Sequence, residues 1–174
     1  MIELVGRRSV ASLVERLLGV VNVFVLIGAI ASLVSLAVLL VAPDVLMDVT
    51  GNAGDISPVV DGAGPDALGW VMVGGFTACV FTWLTLYCLG RILRAVNDGR
   101  AFEIANVGRL RAVGAALAGL QLSVLLLGAL APAENGASRF NLDLGAWLGV
   151  LVVFILAEVF RQGSEMRDEN QNTI

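Results

Sequence analysis

Glu158 and Arg161 stand three residues apart near the end of an apolar run, a step that puts a carboxylate and a guanidinium on one face of a helix, where they can pair. Gln121 lies in the middle of another apolar run. An amide at that depth needs a hydrogen-bond partner from a neighbouring helix, a bond that averages only about 0.6 kcal/mol. Around it the polar inventory is short: Asn22, Ser32, Ser35, Thr77, Thr82, Thr85 and Ser123. Serine and threonine hydroxyls bond back to carbonyls of their own helix, so these residues offer structural glue before they offer a polar track. No acid or base occupies the centre of an apolar run, where a proton- or ion-coupled transporter would normally keep one.

The absences are sharper. The chain has no histidine and no lysine, which closes serine–histidine hydrolysis, histidine-ligated zinc, Walker-type phosphate binding and Schiff-base chemistry together. Cys79 and Cys88 are nine residues apart, hence about 13.5 Å along a helix axis and on opposite faces. They read as packing residues. No catalytic, cofactor-binding or metal-ligating set is left to name, and the reading is of a protein that is not an enzyme.

The elements carrying these residues are four stretches nearly free of charge. Residues 17–43, 67–90 and 112–133 contain no charged side chain, and a shorter stretch centres on 147–156. A helix needs about 20 mostly apolar residues to cross a hydrocarbon layer about 30 Å thick. With 57% hydrophobic and 15% charged residues among 174, and a mean hydropathy of +0.86, the composition exceeds the roughly 45–50% apolar content of a soluble domain. The expected fold is all-α: a single membrane domain over 1–174, an integral membrane four-helix bundle with spans at about 17–41, 68–90, 112–131 and 142–160. Outer loops then cover 42–67 and 132–141, an inner loop 91–111 and an inner tail 161–174. Asp143 and Glu158 bracket the fourth span, which reaches spanning length if both lie near the interfaces.

Orientation follows from the eleven basic residues, all arginine. Ten of them flank the spans at the N-terminus, in 91–111 and in the tail, and only Arg139 falls on the other side. Basic residues near span ends stay in the cytoplasm, so both termini are expected inside, in a multi-pass protein of the inner cell membrane. Arg7 and Arg8 precede an apolar run that far exceeds the roughly 7–15 residues of an export signal, so the first span is read as retained.

The loop 42–67 holds four glycines, two further prolines after Pro43 and five aspartates, which predicts irregular turns and little packing. Its aspartates lack the regular calcium-loop spacing. Asn97-Asp98-Gly99 is a turn signal that should end an inward extension of the second span. After it Phe102, Ile104, Val107 and Leu110 fall mostly on one helical face, expected to rest on the inner leaflet. Small-xxx-small steps at Gly28/Ser32, Gly74/Ala78, Ala115/Gly119 and Gly145/Gly149 suit close packing within the chain, with homo-oligomerisation as the alternative. Trp70 and Trp147 suit outer-interface anchors.

Gly90-Arg91-Ile92-Leu93-Arg94, Gly99-Arg100-Ala101-Phe102 and Arg109-Leu110-Arg111-Ala112-Val113-Gly114, together with the ending from Leu156-Ala157-Glu158-Val159-Phe160-Arg161 through Arg167-Asp168-Glu169-Asn170, resemble the motifs of a family of small bacterial four-span membrane proteins, the domain-of-unknown-function family numbered 2975. The resemblance covers roughly 90–174 and not the first outer loop. It implies a membrane partner or anchor for a small cytosolic helix-turn-helix regulator, with no catalytic residues to carry over and no direct nucleic-acid binding. The motif positions it places on the inner face are Arg91, Arg94, Phe102, Arg109, Arg111, Glu158, Arg161 and Arg167. The plainer reading of the same residues is topogenic charge with attraction to anionic lipids, about 1 kcal/mol per arginine near the surface. A small transporter or pore component with a polar track around Gln121 is the alternative function, and an envelope-stress factor without a dedicated ligand is a third.

Overall fold

The computed structural model describes residues 10–52, 65–101, 103–130 and 142–171, with side chains throughout except at 10–12, 47, 49–52, 65–67 and 167–171. Every element in it is helical: α1 (Val10–Val41), α2 (Pro43–Asn52), α3 (Pro65–Asn97), α4 (Ile104–Leu130) and α5 (Leu144–Gln171). The four long helices are apolar and packed together, and each contains a stretch long enough to cross a membrane: Leu13–Val41, Leu68–Asn97, Ile104–Leu130 and Leu144–Met166. No more than 17% of the most apolar window in any of these stretches is buried against protein. Large apolar side chains such as Phe24, Leu40 and Leu148 face outward instead, on a surface that water would not tolerate and lipid does. The protein is a membrane protein with four transmembrane helices.

Helix ends follow local chemistry. Ala42 still donates its N–H to the Val38 carbonyl, and Pro43, which has no N–H, opens α2 at the first helical position, where none is needed. The outer loop expected at 42–67 therefore begins as a helix, with Asp44 in its first turn, where the helix dipole favours a carboxylate. Irregular turns are not what 43–52 forms, and 53–64 lie outside the described residues. Asp143 caps α5 by accepting the Ala146 N–H at 3.1 Å.

Between α3 and α4 the chain turns through a Schellman motif. Gly99 takes a φ of +74°, its N–H bonds the Val96 carbonyl, and the Arg100 N–H bonds that of Ala95 at 2.8 Å. The turn signal at Asn97-Asp98-Gly99 thus ends α3 where expected. The face beyond it behaves differently from the expectation of a leaflet contact: Val107 and Leu110 are buried in protein while Ile104 is exposed. The tight turn folds α4 back, so this face meets protein.

The chain divides into two compact units. The first holds α1 as far as Phe24, α3 from Phe81, α4 as far as Gln121, and α5; the second holds α1 from Val25, α2, α3 up to Val80, and α4 from Leu122. In the first unit α4 supplies half of the buried apolar core, Val107, Leu110, Val113 and Ala116, and α3 and α5 supply the rest, Cys88, Ala95, Val150 and Ala157. Close approach is bought there with glycine: a Cβ on Gly119 would lie 2.6 Å from the Phe81 ring, and one on Gly114 3.0 Å from the Phe154 ring. In the second unit Gly75 faces the Ser32 hydroxyl, Gly28 faces Cys79 and Gly74 faces Leu127. Three of the four small-residue steps therefore sit at helix contacts. The fourth does not, since a Cβ on Gly149 would meet nothing within 4 Å and one on Gly145 only the capping Asp143.

Replacing Gly119 with Ala forces the Phe81 ring to move and is expected to cost about 1–3 kcal/mol, the usual range for overpacking. Gly149→Ala should be neutral or slightly stabilising. Thermal unfolding of the detergent-purified protein measures both, and an unchanged Gly119→Ala melting point would refute the close contact.

Candidate functional site

Charged side chains collect in the first unit at the ends of its helices. From α1, Glu15 accepts a hydrogen bond from Arg94 Nε at 2.9 Å and another from Asn97 Nδ2 at 3.3 Å, joining residues 79 and 82 positions apart. Glu15 is the better shielded partner, at 25% side-chain exposure against 67% for Arg94. On the same turn of α3, Arg91 donates to the Tyr87 hydroxyl at 2.8 Å and its guanidinium lies 5.6 Å from the Tyr87 ring centroid. Tyr87 in turn stacks on Trp83, with ring centroids 5.4 Å apart.

A second group joins α4 and α5. Arg161 Nε donates to both Glu158 carboxylate oxygens at 3.0 Å, so the pairing expected from the three-residue step is present. Arg161 also reaches Glu165, and Arg111 approaches Glu158 to 3.8 Å from α4. Glu158 therefore serves two helices. Each of these pairs is at least one-third exposed, which limits what it adds to stability and leaves it accessible.

The turn between α3 and α4 carries a third group. Arg100 bridges Asp98 at 3.0 Å and Glu103 at 3.2 Å; the hydrogen bond it donates to Asp98, then the charges of Glu103 and Asp98, hold its guanidinium above the ordinary arginine value. Beneath it Asn106 is 1% exposed and fully used. Its amide donates to the carbonyls of Arg100 and Ala101 at 3.1 and 3.0 Å, and its oxygen accepts from Arg109 at 2.6 Å. A buried amide satisfied on both sides makes the turn rigid.

Of the positions expected on the inner face, Arg91, Arg94, Arg109, Arg111, Glu158 and Arg161 thus all lie in this unit. They form three groups rather than one constellation. Phe102 and the Arg167 side chain lie outside the described residues. Gln121 is half-buried and has no hydrogen-bond partner among the described residues. Thr77 and Thr85 donate to the carbonyls of Val73 and Phe81, four residues back, the local bonding expected of them. Glu15, Tyr87 and Asn106 are not marked by the sequence reading. Glu15 pairs across 79 residues without any local pattern, whereas Asn106 does carry a signal, a polar residue within a helix's first turn just after an Asn-Asp-Gly turn. Among the described residues no three His, Cys, Asp or Glu side chains converge as a metal site would need.

The pattern of the family described as "Protein of unknown function (DUF2975)" matches residues 42–174. The chain belongs to this family. The DUF2975 match reaches further toward the N-terminus than the resemblance read over 90–174, taking in α2 and all of α3. Helix α1, which ends at Val41, precedes it, so the Glu15–Arg94 pair ties a helix before the match to one within it. Neither the curated proteins nor the solved structures contain a match to this chain.

Substituting Asn106 with Leu, of similar size, takes the side-chain donor from two turn carbonyls, of which that of Arg100 keeps the Glu103 N–H at 3.3 Å, and leaves the Arg109 guanidinium without its acceptor. The expected cost is about 1–3 kcal/mol, with faster amide hydrogen exchange at 98–106 than in the middle of α4. Exchange in that segment identical to wild type would show that the asparagine does not hold the turn.

Proposed function

We propose that this DUF2975 protein is a non-enzymatic inner-membrane protein with both termini in the cytoplasm, and that its arginine-bearing helix ends dock a small cytosolic helix-turn-helix regulator. Orientation is supported by the arginine count, ten against one, under the rule that keeps basic residues inside. Docking is supported by one observation above others: Arg94 and Arg111 leave 67% and 55% of their side chains exposed although each is paired. Arg91 is exposed as well. The ion pairs fix where these guanidinium groups stand, and the planar fork of arginine lets each still offer N–H donors to a partner's carboxylates. The identity of that partner rests on the family resemblance.

Two measurements test the reading. Tags at the two termini should be unreachable from outside intact cells and become reachable on lysis. A regulator encoded beside the gene should be captured by the detergent-solubilised protein, and Arg91→Ala, Arg94→Ala and Arg161→Ala together should reduce capture at least tenfold. Capture that is absent, or equal with the triple variant, removes the docking proposal; external labelling of the tags removes the orientation.

A further inference from the structure

Between α1 and α3, in the first unit, lies a cavity of about 320 Å³. From α1 it is lined by Glu15, Leu18, Gly19 and Asn22, the spacing of a single helical face, and from α3 by a face that carries Tyr87, Arg91 and Arg94. Glu15 and Arg94 are bonded to each other near the helix ends and mark its mouth. Asn22 stands seven residues further along α1 than Glu15, about 10 Å deeper, and its Oδ1 is buried with no hydrogen-bond partner among the described residues. Leu18 and Leu86 make the wall between them apolar. Open space begins at the backbone itself on both sides, since a Cβ on Gly19 or Gly90 would meet nothing within 4 Å.

Consecutive spans run in opposite directions, and helical side chains lean toward the N-terminus of their own helix. Asn22 therefore leans toward the mouth, while Arg91 leans inward and bonds the Tyr87 hydroxyl, four residues deeper. The polar ends of the cavity are thus closer together than their backbones, which calls for a short occupant. At the deep end an amide oxygen without a donor costs free energy, so an O–H or N–H group is wanted there. At the Arg91 end the need is reversed. Arg91 has N–H groups beyond the one given to Tyr87, and the Tyr87 hydroxyl, which accepts that bond, keeps its own proton to donate. Charge narrows the choice further. Glu15 cancels one of the two positive charges of Arg91 and Arg94, and the single charge left over favours a carboxylate above a phosphate ester, which would bring a charge of about −1.5 to −2 next to Glu15.

We propose that this cavity binds a small hydroxy-carboxylic acid, its carboxylate on Arg91 and Tyr87, its apolar body between Leu18 and Leu86, and its hydroxyl donating to Asn22. The volume stands at the lower end of the roughly 300–1,000 Å³ of small-molecule sites, which likewise combine an apolar lining with a few convergent polar groups. The inference does not rest on regulator docking, and the experiment contains no regulator.

The full chain in detergent is titrated with 4-hydroxybenzoate, benzoate or phenol, and binding above that of empty micelles is followed by ligand-observed NMR. The first probe carries both polar ends, and each of the others lacks one. On wild type, 4-hydroxybenzoate should bind about fivefold or more tighter than benzoate, the worth of one hydrogen bond, and about tenfold or more tighter than phenol, the worth of a charge-assisted one. Asn22→Leu should bind 4-hydroxybenzoate and benzoate alike, Arg91→Gln should weaken 4-hydroxybenzoate about tenfold, and Gly90→Leu, which fills the space, should bind neither acid. Arg16 is exposed and outside the cavity, so Arg16→Ala should bind as wild type does. The proposal is overturned if no probe binds, if benzoate equals 4-hydroxybenzoate on wild type, as it would with water bonded to Asn22, or if phenol does. It is equally overturned if the advantage of the hydroxyl survives Asn22→Leu, or if Arg16→Ala weakens binding as much as Arg91→Gln. Retained benzoate binding shows that Asn22→Leu is folded, so the outcome stands even if Gly90→Leu is not.

Discussion

Lipid cannot hydrogen-bond, and most of this structure is a consequence of that. With no water at membrane depth, each backbone N–H and C=O must find its partner inside the same helix, so the spanning segments are helices and nothing else. Apolar side chains lose nothing by facing outward, which is why so many leucines, valines and isoleucines are exposed. The same solvent removes hydrophobic collapse as a force between helices. What remains is contact. Phe81 against Gly119, Phe154 against Gly114 and Ser32 against Gly75 are places where a missing side chain on one helix receives a whole side chain from another.

Polar and charged groups are correspondingly confined and given specific tasks. Asn106 fastens the turn between α3 and α4, Glu15 holds the end of α3 to α1, and Glu158 sits between arginines of α4 and α5. Each group uses carboxylates or amides to fix the position of a guanidinium. An arginine so fixed has already lost much of its conformational freedom, and that loss need not be repeated when a phosphate or carboxylate arrives. The exposed heads of Arg91, Arg94 and Arg111 are in that condition.

Much of the fold is legible in the sequence because a spanning helix announces itself by an uninterrupted apolar run, independent of what it packs against. The helix stop at Asn97-Asp98-Gly99 is legible for the same local reason, since a glycine able to adopt positive φ is what that ending requires. The start of α2 is misread because prolines, glycines and aspartates count as turn formers, yet Pro43 and Asp44 are also a helix-start signal. Val107 and Leu110 show the other limit: periodicity identifies an apolar face but does not say whether lipid or protein covers it. The site is less legible than the fold. Its arginines are visible as a charge cluster, but the Glu15 pairing and the orphaned oxygen of Asn22 depend on which helices meet, and no local spacing records that.

The Schellman turn has a further bearing on how the chain assembles. Only six residues separate α3 from α4, whereas the Glu15–Arg94 bond closes a loop of 79. Loop-closure entropy rises with the logarithm of loop length, so the helical hairpin of α3 and α4 is the cheapest long-helix pairing available during biogenesis. Helix α1, although synthesised first, has to wait in the bilayer for its partner before it can dock.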